Sequence, residues 1–286
     1  MATHLTTDKY RQQDFFVADI FEANPKDDIP SMEYPIFALK AGDKRLRRYE
    51  HNGQPVEIQP GFYGLATIHD KDVWIYCISQ LVEAINRNRE DVQRNIRFTT
   101  YDFLVSTNRD TSGRSYERMK DTLNRLQGTV IVTSLETDGY RETKGFGLID
   151  GYEIVEKSPD DDRMVAVEVT LPDWLFRSIK SMQVLTLSRD YFRLRKALDR
   201  RVYELARKHC GNQPKWCISM AMLHKKSGST SLLKKFRFDM KSLTQSNELP
   251  DYRVLFDENT DMVTFYSRGV KGAKALIGDM TKGKRK

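Results

Sequence analysis

Along the first half of the chain the apolar positions change period several times. Extended pieces at 34–39, 47–50 and 56–58 come first, the last two joined by Asn52-Gly53, a hairpin turn signal. Val73, Ile75, Tyr76, Ile78, Leu81, Val82 and Ile85 then recur at helical spacing, with Asp70 or Asp72 placed to cap the helix. A short helix over 100–106 follows, with Thr99 at its N-cap. After a polar loop a third helix spans 114–126, its apolar face made by Tyr116, Met119, Leu123 and Leu126 and its end marked by Gly128. Two β-branched runs, 129–135 and 146–155, are joined by a polar, glycine-containing connection. Helix, helix, turn, helix and hairpin is the order of a winged helix.

The same order returns downstream. Ser188 opens a long helix in which Tyr191, Leu194, Leu198, Val202 and Leu205 repeat, with Tyr203 expected in the core and Gly211 closing it. A short helix over 218–225, the turn Ser227-Gly228-Ser229 and a third helix over 230–246 come next; the third buries Leu232, Leu233, Phe236, Met240 and Leu243. Strands at 252–256 and 262–266, joined by the acidic turn 257–261, form a second wing. The predicted architecture is α+β: two tandem winged-helix domains over 32–180 and 185–270. A flexible arm, 1–31, with a short amphipathic patch around Phe15 to Phe21, precedes them, and a basic disordered tail, 271–286, follows.

Composition fits an ordinary globular chain of about two domains. It has 286 residues, 39% hydrophobic and 30% charged, with no apolar run long enough to span a bilayer. A polar start without an apolar signal segment, and only three cysteines (Cys77, Cys210 and Cys217), lead us to expect a reducing, cytoplasmic setting. The net charge of +7 is unevenly spread. Residues 188–246 hold 15 Lys and Arg against 4 Asp and Glu, an excess of +11, and the tail adds +5; every other segment is neutral or acidic. Such asymmetry suits a polyanion-binding face, the alternative being a solvated lysine-rich helix.

A helix-turn-helix presents the polar face of its second helix to the major groove, while basic side chains around it neutralise phosphates. In the second unit that face holds Ser231, Lys234, Lys235, Phe238, Lys241 and Gln245, with Arg237 beside it and Lys225 and Lys226 just before the turn. Phe238 fits three roles there: cover for an apolar neighbour, contact to a thymine methyl, or a sign that the helix phase slips. Arg114, Arg118 and Arg125 are the counterparts in the first unit. Glu117 and Asp121 share that helix, so structural ion pairing competes with phosphate contact. Lys44, Arg45, Arg47 and Arg48 read as an exposed hairpin face.

Catalytic chemistry finds no constellation. The five histidines, His4, His51, His69, His209 and His224, include no closely spaced pair of the kind a rolling-circle nickase uses to hold metal beside its tyrosine, and no glycine-rich loop ends in Lys-Ser/Thr. His209, Cys210, Cys217 and His224 match no common zinc spacing, and the acidic run 160–162 reads as a hairpin loop. We therefore expect a non-enzymatic protein without metal or cofactor.

Several separated motifs, GLATIHDKDVWIYC at 64–77, GRSYERMK at 113–120, LQGT at 126–129, LTLSRDYFRL at 185–194, RVYELARKHCG at 201–211 and LPDY at 249–252, closely resemble the plasmid replication initiator protein A family. The likeness runs from about 32 to 270. It implies an initiator that binds repeated sites in double-stranded origin DNA, helps open the duplex and recruits the host initiator and replicative helicase. A more distant resemblance to two-winged-helix initiators of iteron plasmids implies a monomer that starts replication and a homodimer that represses its own promoter. By that resemblance the third helix of the C-terminal unit reads the repeat, a role carried to Lys234, Lys235, Arg237 and Lys241. The N-terminal unit contacts DNA backbone and contributes to dimerisation. A transcriptional repressor of the same fold is the alternative.

Overall fold

The computed structural model describes residues 24–51, 54–137, 140–158 and 161–283. Its first elements correct the arm boundary: within 1–31, strand β1 (Lys26–Asp28) leads into helix α1 (Ile29–Glu33), capped by Asp28, whose carboxylate accepts from the Ser31 amide. The basic tail is likewise helical over most of its length, as set out below. Residues 34–39 do not form a strand; a single parallel bridge joins Ala38 to Thr67.

Next come β2 (Arg47–His51), β3 (Gln54–Gln59), α2 (Lys71–Asn86), β4 (Asn95–Phe98), α3 (Thr100–Ser106) and α4 (Gly113–Gly128). Thr99 caps α3, accepting from the Asp102 amide. Asp70 stands at the N-cap of α2 and Asp72 in its first turn, but the Asp70 side chain makes no cap bond; each carboxylate turns to arginine instead. Four strands follow: β5 (Val130–Thr137), β6 (Tyr140–Gly147), β7 (Gly151–Ser158) and β8 (Asp161–Thr170), then α5 (Asp173–Lys180). The hairpin expected from 129–135 and 146–155 is in fact two hairpins. The second run breaks at buried Leu148 and Ile149, where the chain crosses between sheets. β5 and β6 extend the β2–β3 hairpin into a sheet of order β2-β3-β5-β6, whereas β7 and β8 pair back onto β4 in the order β4-β8-β7. The true wing of the first unit is β7–β8, and β5–β6 is inserted ahead of it.

The second unit repeats this plan. β9 (Val184–Thr186) pairs antiparallel with β1, and a 3-10 turn (Arg189–Arg193), capped by Ser188, precedes α6 (Ala197–His209). The single long helix expected from Ser188 is split because Arg200 Nε donates to the Leu194 carbonyl (2.7 Å) where the backbone is extended. β10 (Lys215–Ser219) occupies positions expected to start a helix, and α7 (Met220–Ser227) begins after its Ser219 cap. α8 (Leu233–Ser246), β11 (Tyr252–Asp257), β12 (Met262–Ser267) and α9 (Val270–Gly283) complete the chain. The sheet order β10-β12-β11 matches β4-β8-β7, with the last strand central in both units.

Each unit has its own core. The second also takes Met32 and Ile75 from the first, so the units interlock across the expected boundary at 180–185. Gly228, at φ +67°, completes the join: a Cβ there would lie 2.5 Å from Pro35 Cβ.

Between the cores lies a buried ionic network. Lys71 Nζ bonds Asp27 Oδ2 (2.6 Å) and approaches Glu204 Oε2 (3.1 Å), and Tyr191 donates to Glu204 Oε1 (2.7 Å). Arg201 donates to the Ser31, Met32 and Glu33 carbonyls that end α1 and to the Lys226 carbonyl in α7. Arg200 pairs with Asp72, whose other oxygen is 2.7 Å from Arg109 ahead of α4. Asp27, Asp28 and Glu204 face two cations, Lys71 and Arg201, an imbalance that a retained proton corrects. Burial pushes the Asp27 carboxyl up to about 8 against the pull of Lys71, with Glu204 and Asp28 adding to the rise. The folded protein thus keeps a proton that the unfolded chain releases near pH 4, and the stability it contributes is lost as pH rises towards 8. Between pH 7 and 8, above the histidine range, denaturant unfolding should report a fall of about 1 kcal/mol. Asp27→Asn should flatten that slope. A wild-type stability that is level or rising over this interval would contradict the shared proton.

Candidate nucleic-acid interface

The α7–turn–α8 element is held by local polar bonds. Ser227 Oγ donates to the His224 carbonyl (2.7 Å) and accepts from the Ser229 amide (3.2 Å), while His224 Nε2 lies 2.9 Å from the Ser231 carbonyl. α8 then buries Phe236, Met240 and Leu243 and ends at Asn247, which is left-handed and accepts from the Val254 amide. This is the phase expected from the sequence, with one exception. Leu232, expected in the core, is 82% exposed because it sits at the extended N-cap position.

Lys234, Lys235, Phe238 and Gln245 emerge on the face opposite the core. Phe238 is 66% exposed with Lys235 Nζ 4.9 Å from its ring centre, which excludes both apolar cover and a slipped helix. Ser231 is half-buried in the turn, its hydroxyl 2.9 Å from that of Ser229. Lys225 is exposed on α7. Lys226 is drawn the other way: its ammonium sits 2.5 Å from Glu33, which Lys208 and His209 also approach. Burial works against ionisation of the Glu33 carboxyl, yet hydrogen bonds from Lys226 and Lys208 and the charge around them hold it down at about 2. Lys226 therefore belongs to the join between the units and not to the exposed face.

Not every cation near α8 is unengaged. Arg237 is held by both oxygens of Asp261 (2.8 and 2.7 Å), Lys241 by Glu258 (2.7 Å) and Lys235 by Asp239 one turn along. The acidic balance of 247–270 is visible in the sequence, but not that its wing carboxylates face α8.

In the first unit Arg114 and Arg118 are exposed on α4. Arg125 resolves to the ion-pairing alternative. Its Nε and Nη2 clamp the Asp70 carboxylate at 2.8 Å each, and Thr122 and the Thr67 amide complete the shell. Between the units, Arg195 Nη1 donates to the Asn108 carbonyl (3.2 Å) in the loop before α4. Asp43 engages Arg45 and Arg47, and Glu57 engages Arg48, so most of the 44–48 cluster serves its hairpin.

His209 stacks on Trp216 with centroids 4.8 Å apart, and Cys210 is buried beside it, while His224 packs on Phe236. Among the described residues no three of His, Cys, Asp and Glu gather in a metal-binding group, and no helix is long and apolar enough to cross a membrane.

Residues 26–254 match the family model described as Replication initiator protein A. A protein of Wigglesworthia glossinidia brevipalpis, described as a putative replication protein, is 44% identical over 258 residues, covering 90% of this chain and 94% of its own. Two crystal structures of RctB domains 2–3 share the fold. One covers 86% of this chain and 99% of its own, at TM-score 0.61 and 10% identity; the other, a selenomethionine form, covers 84% and 98% at TM-score 0.63 and 10% identity.

Proposed function

Because this chain belongs to the Replication initiator protein A family, we propose that it starts replication by binding repeated origin sites in double-stranded DNA sequence-specifically and without catalysis. The observation that carries this reading is the exposed Lys234, Lys235, Phe238 and Gln245 face of α8, set behind a braced turn and flanked by the β11–β12 wing. α8 enters the major groove. Lysine and glutamine side chains suit purine edges, and Phe238 suits a thymine methyl. Arg114 and Arg118 of α4, with Ser231 and Lys225, contact phosphate and set the register. Duplex opening, recruitment of the host initiator and replicative helicase, and autorepression by a homodimer complete the proposal, in a cytoplasmic, plasmid-borne setting.

Footprinting on the DNA flanking its own gene, followed by replication of the protected segment with the protein supplied in trans, tests the proposal. A footprint that never supports replication would favour a repressor of the same fold. Supercoiled plasmid carrying that segment, incubated with protein and divalent metal, should stay unrelaxed and free of covalent 5′ adduct. Lys234→Ala should weaken binding to the protected segment on the order of tenfold and relax the sequence preference there, with little change in salt dependence. Its unfolding free energy should stay within about 0.5 kcal/mol of wild type, as for a surface change. Unaltered binding together with unaltered stability would return Lys234 to a solvated face.

A further inference from the structure

The wing of the second unit is acidic where it meets α8. α8 carries four cations, Lys234, Lys235, Arg237 and Lys241, and one carboxylate, Asp239; the turn 257–261 adds Asp257, Glu258 and Asp261. Helix and turn together sum to zero, inside and beside a segment of +11. Asp257 is engaged within the turn, accepting from the Asn259 amide (3.0 Å) and the Thr260 hydroxyl (2.7 Å). The other two carboxylates reach across to the helix. Asp261 grips the Nε–Nη2 edge of Arg237 with both oxygens, hydrogen bonds that hold its carboxyl below the ordinary range, and Glu258 sits on the Lys241 ammonium. All four side chains are at least one-third exposed. Surface pairs of this kind add little to folding, so stability gives no reason for their placement.

We propose that Glu258 and Asp261 determine specificity by withholding Arg237 and Lys241 from the phosphates of non-matching DNA. The inference rests on the duplex-binding reading above. Non-specific affinity is almost wholly phosphate neutralisation, available on every sequence and in every register. A cation already paired with a carboxylate adds little to it, and the carboxylate itself is repelled by the backbone. On a matching site the base contacts of Lys234, Lys235, Phe238 and Gln245 add affinity that random sequence does not supply, so affinity there depends less on free cations. Discrimination is the difference between the two affinities, and weakening the wrong complex widens it.

The test uses full-length protein, with wild type compared to Glu258→Gln/Asp261→Asn by fluorescence anisotropy. The probes are a random-sequence duplex and a duplex that wild type selects from a random pool. Affinity of the double variant for random DNA should rise about tenfold, with a log–log salt slope steeper by about one to two units as freed cations find phosphates. The gain on the selected duplex should be smaller, so that the ratio of the two affinities falls. Glu258→Asp/Asp261→Glu, which keeps both charges, should retain most of the wild-type ratio, and matching thermal melts should show that all three proteins are folded. Equal gains on both probes, or no gain on random DNA, would overturn the wing's role while leaving the DNA-binding reading intact. A wild type that selects no duplex and binds none would overturn both.

Discussion

Lys71→Met should destabilise the protein by about 3–5 kcal/mol, the cost of breaking a buried ion pair from one side. Lys71 is fully buried on α2, and its ammonium is shared by Asp27 of β1 and Glu204 of α6. Methionine fills much of the same volume but leaves three carboxylates, Asp27, Asp28 and Glu204, facing Arg201 alone. Protonating a second carboxyl relieves part of that charge, so the variant's stability should fall more steeply with pH than that of wild type. Adding Asp27→Asn should restore part of the loss, because an amide there requires no proton uptake on folding. Denaturant unfolding of the three proteins measures this. A single-variant cost below about 1 kcal/mol would mean that the network is hydrated and adjustable, contrary to its burial.

Tyr203→Ala should cost a comparable amount, about 3–5 kcal/mol, by the different route of cavity formation. The ring is fully buried in α6 between Tyr191 and Tyr252, with centroids at 5.6 and 6.0 Å. Its hydroxyl accepts from the Ser188 amide (2.7 Å) and donates to Asp251 Oδ2 (2.9 Å), joining the start of the 3-10 turn to the approach to β11. Tyr203→Phe keeps the ring and loses only these bonds, so about 1–2 kcal/mol is expected. The separation between the two variants divides packing from hydrogen bonding. If both cost the same, the ring packing argued here is wrong.

Which features could be read from the sequence follows from the range of the forces involved. Helices α3, α4 and α8 were legible because one apolar face per helix leaves a period in the sequence, and α2, buried on every side, because its apolar residues recur along four turns. The strands β4 and β10 were not. Each is short and stands next to a helix, and each is extended because it pairs with a distant partner, β8 or β12. The same holds for β1, whose identity as a strand depends on β9. At the candidate interface the exposed face of α8 was legible down to Phe238, but the engagement of its neighbours was not. Counting charge registered the +11 segment without showing that Arg200 and Arg201 lie inside the molecule, or that Asp261 and Glu258 fold back onto Arg237 and Lys241. Arg125 shows the same limit. Its spacing put it on the polar face of α4, and only the fold brings Asp70 within reach.

The interlocked junction also makes the molecule a ruler. With Met32 and Ile75 built into the second core and Gly228 seated against Pro35, α4 and α8 are held at one separation and one mutual rotation. DNA rises and turns together, about 34–36 Å for each turn of 10–10.5 base pairs, so a span fixed in the protein is also a fixed helical phase on the duplex. Moving the two halves of a site apart by about half a turn puts them on opposite sides of the DNA, while a full turn restores the facing side and leaves only the distance wrong. For a duplex engaged by both units, spacing is therefore read as strictly as sequence.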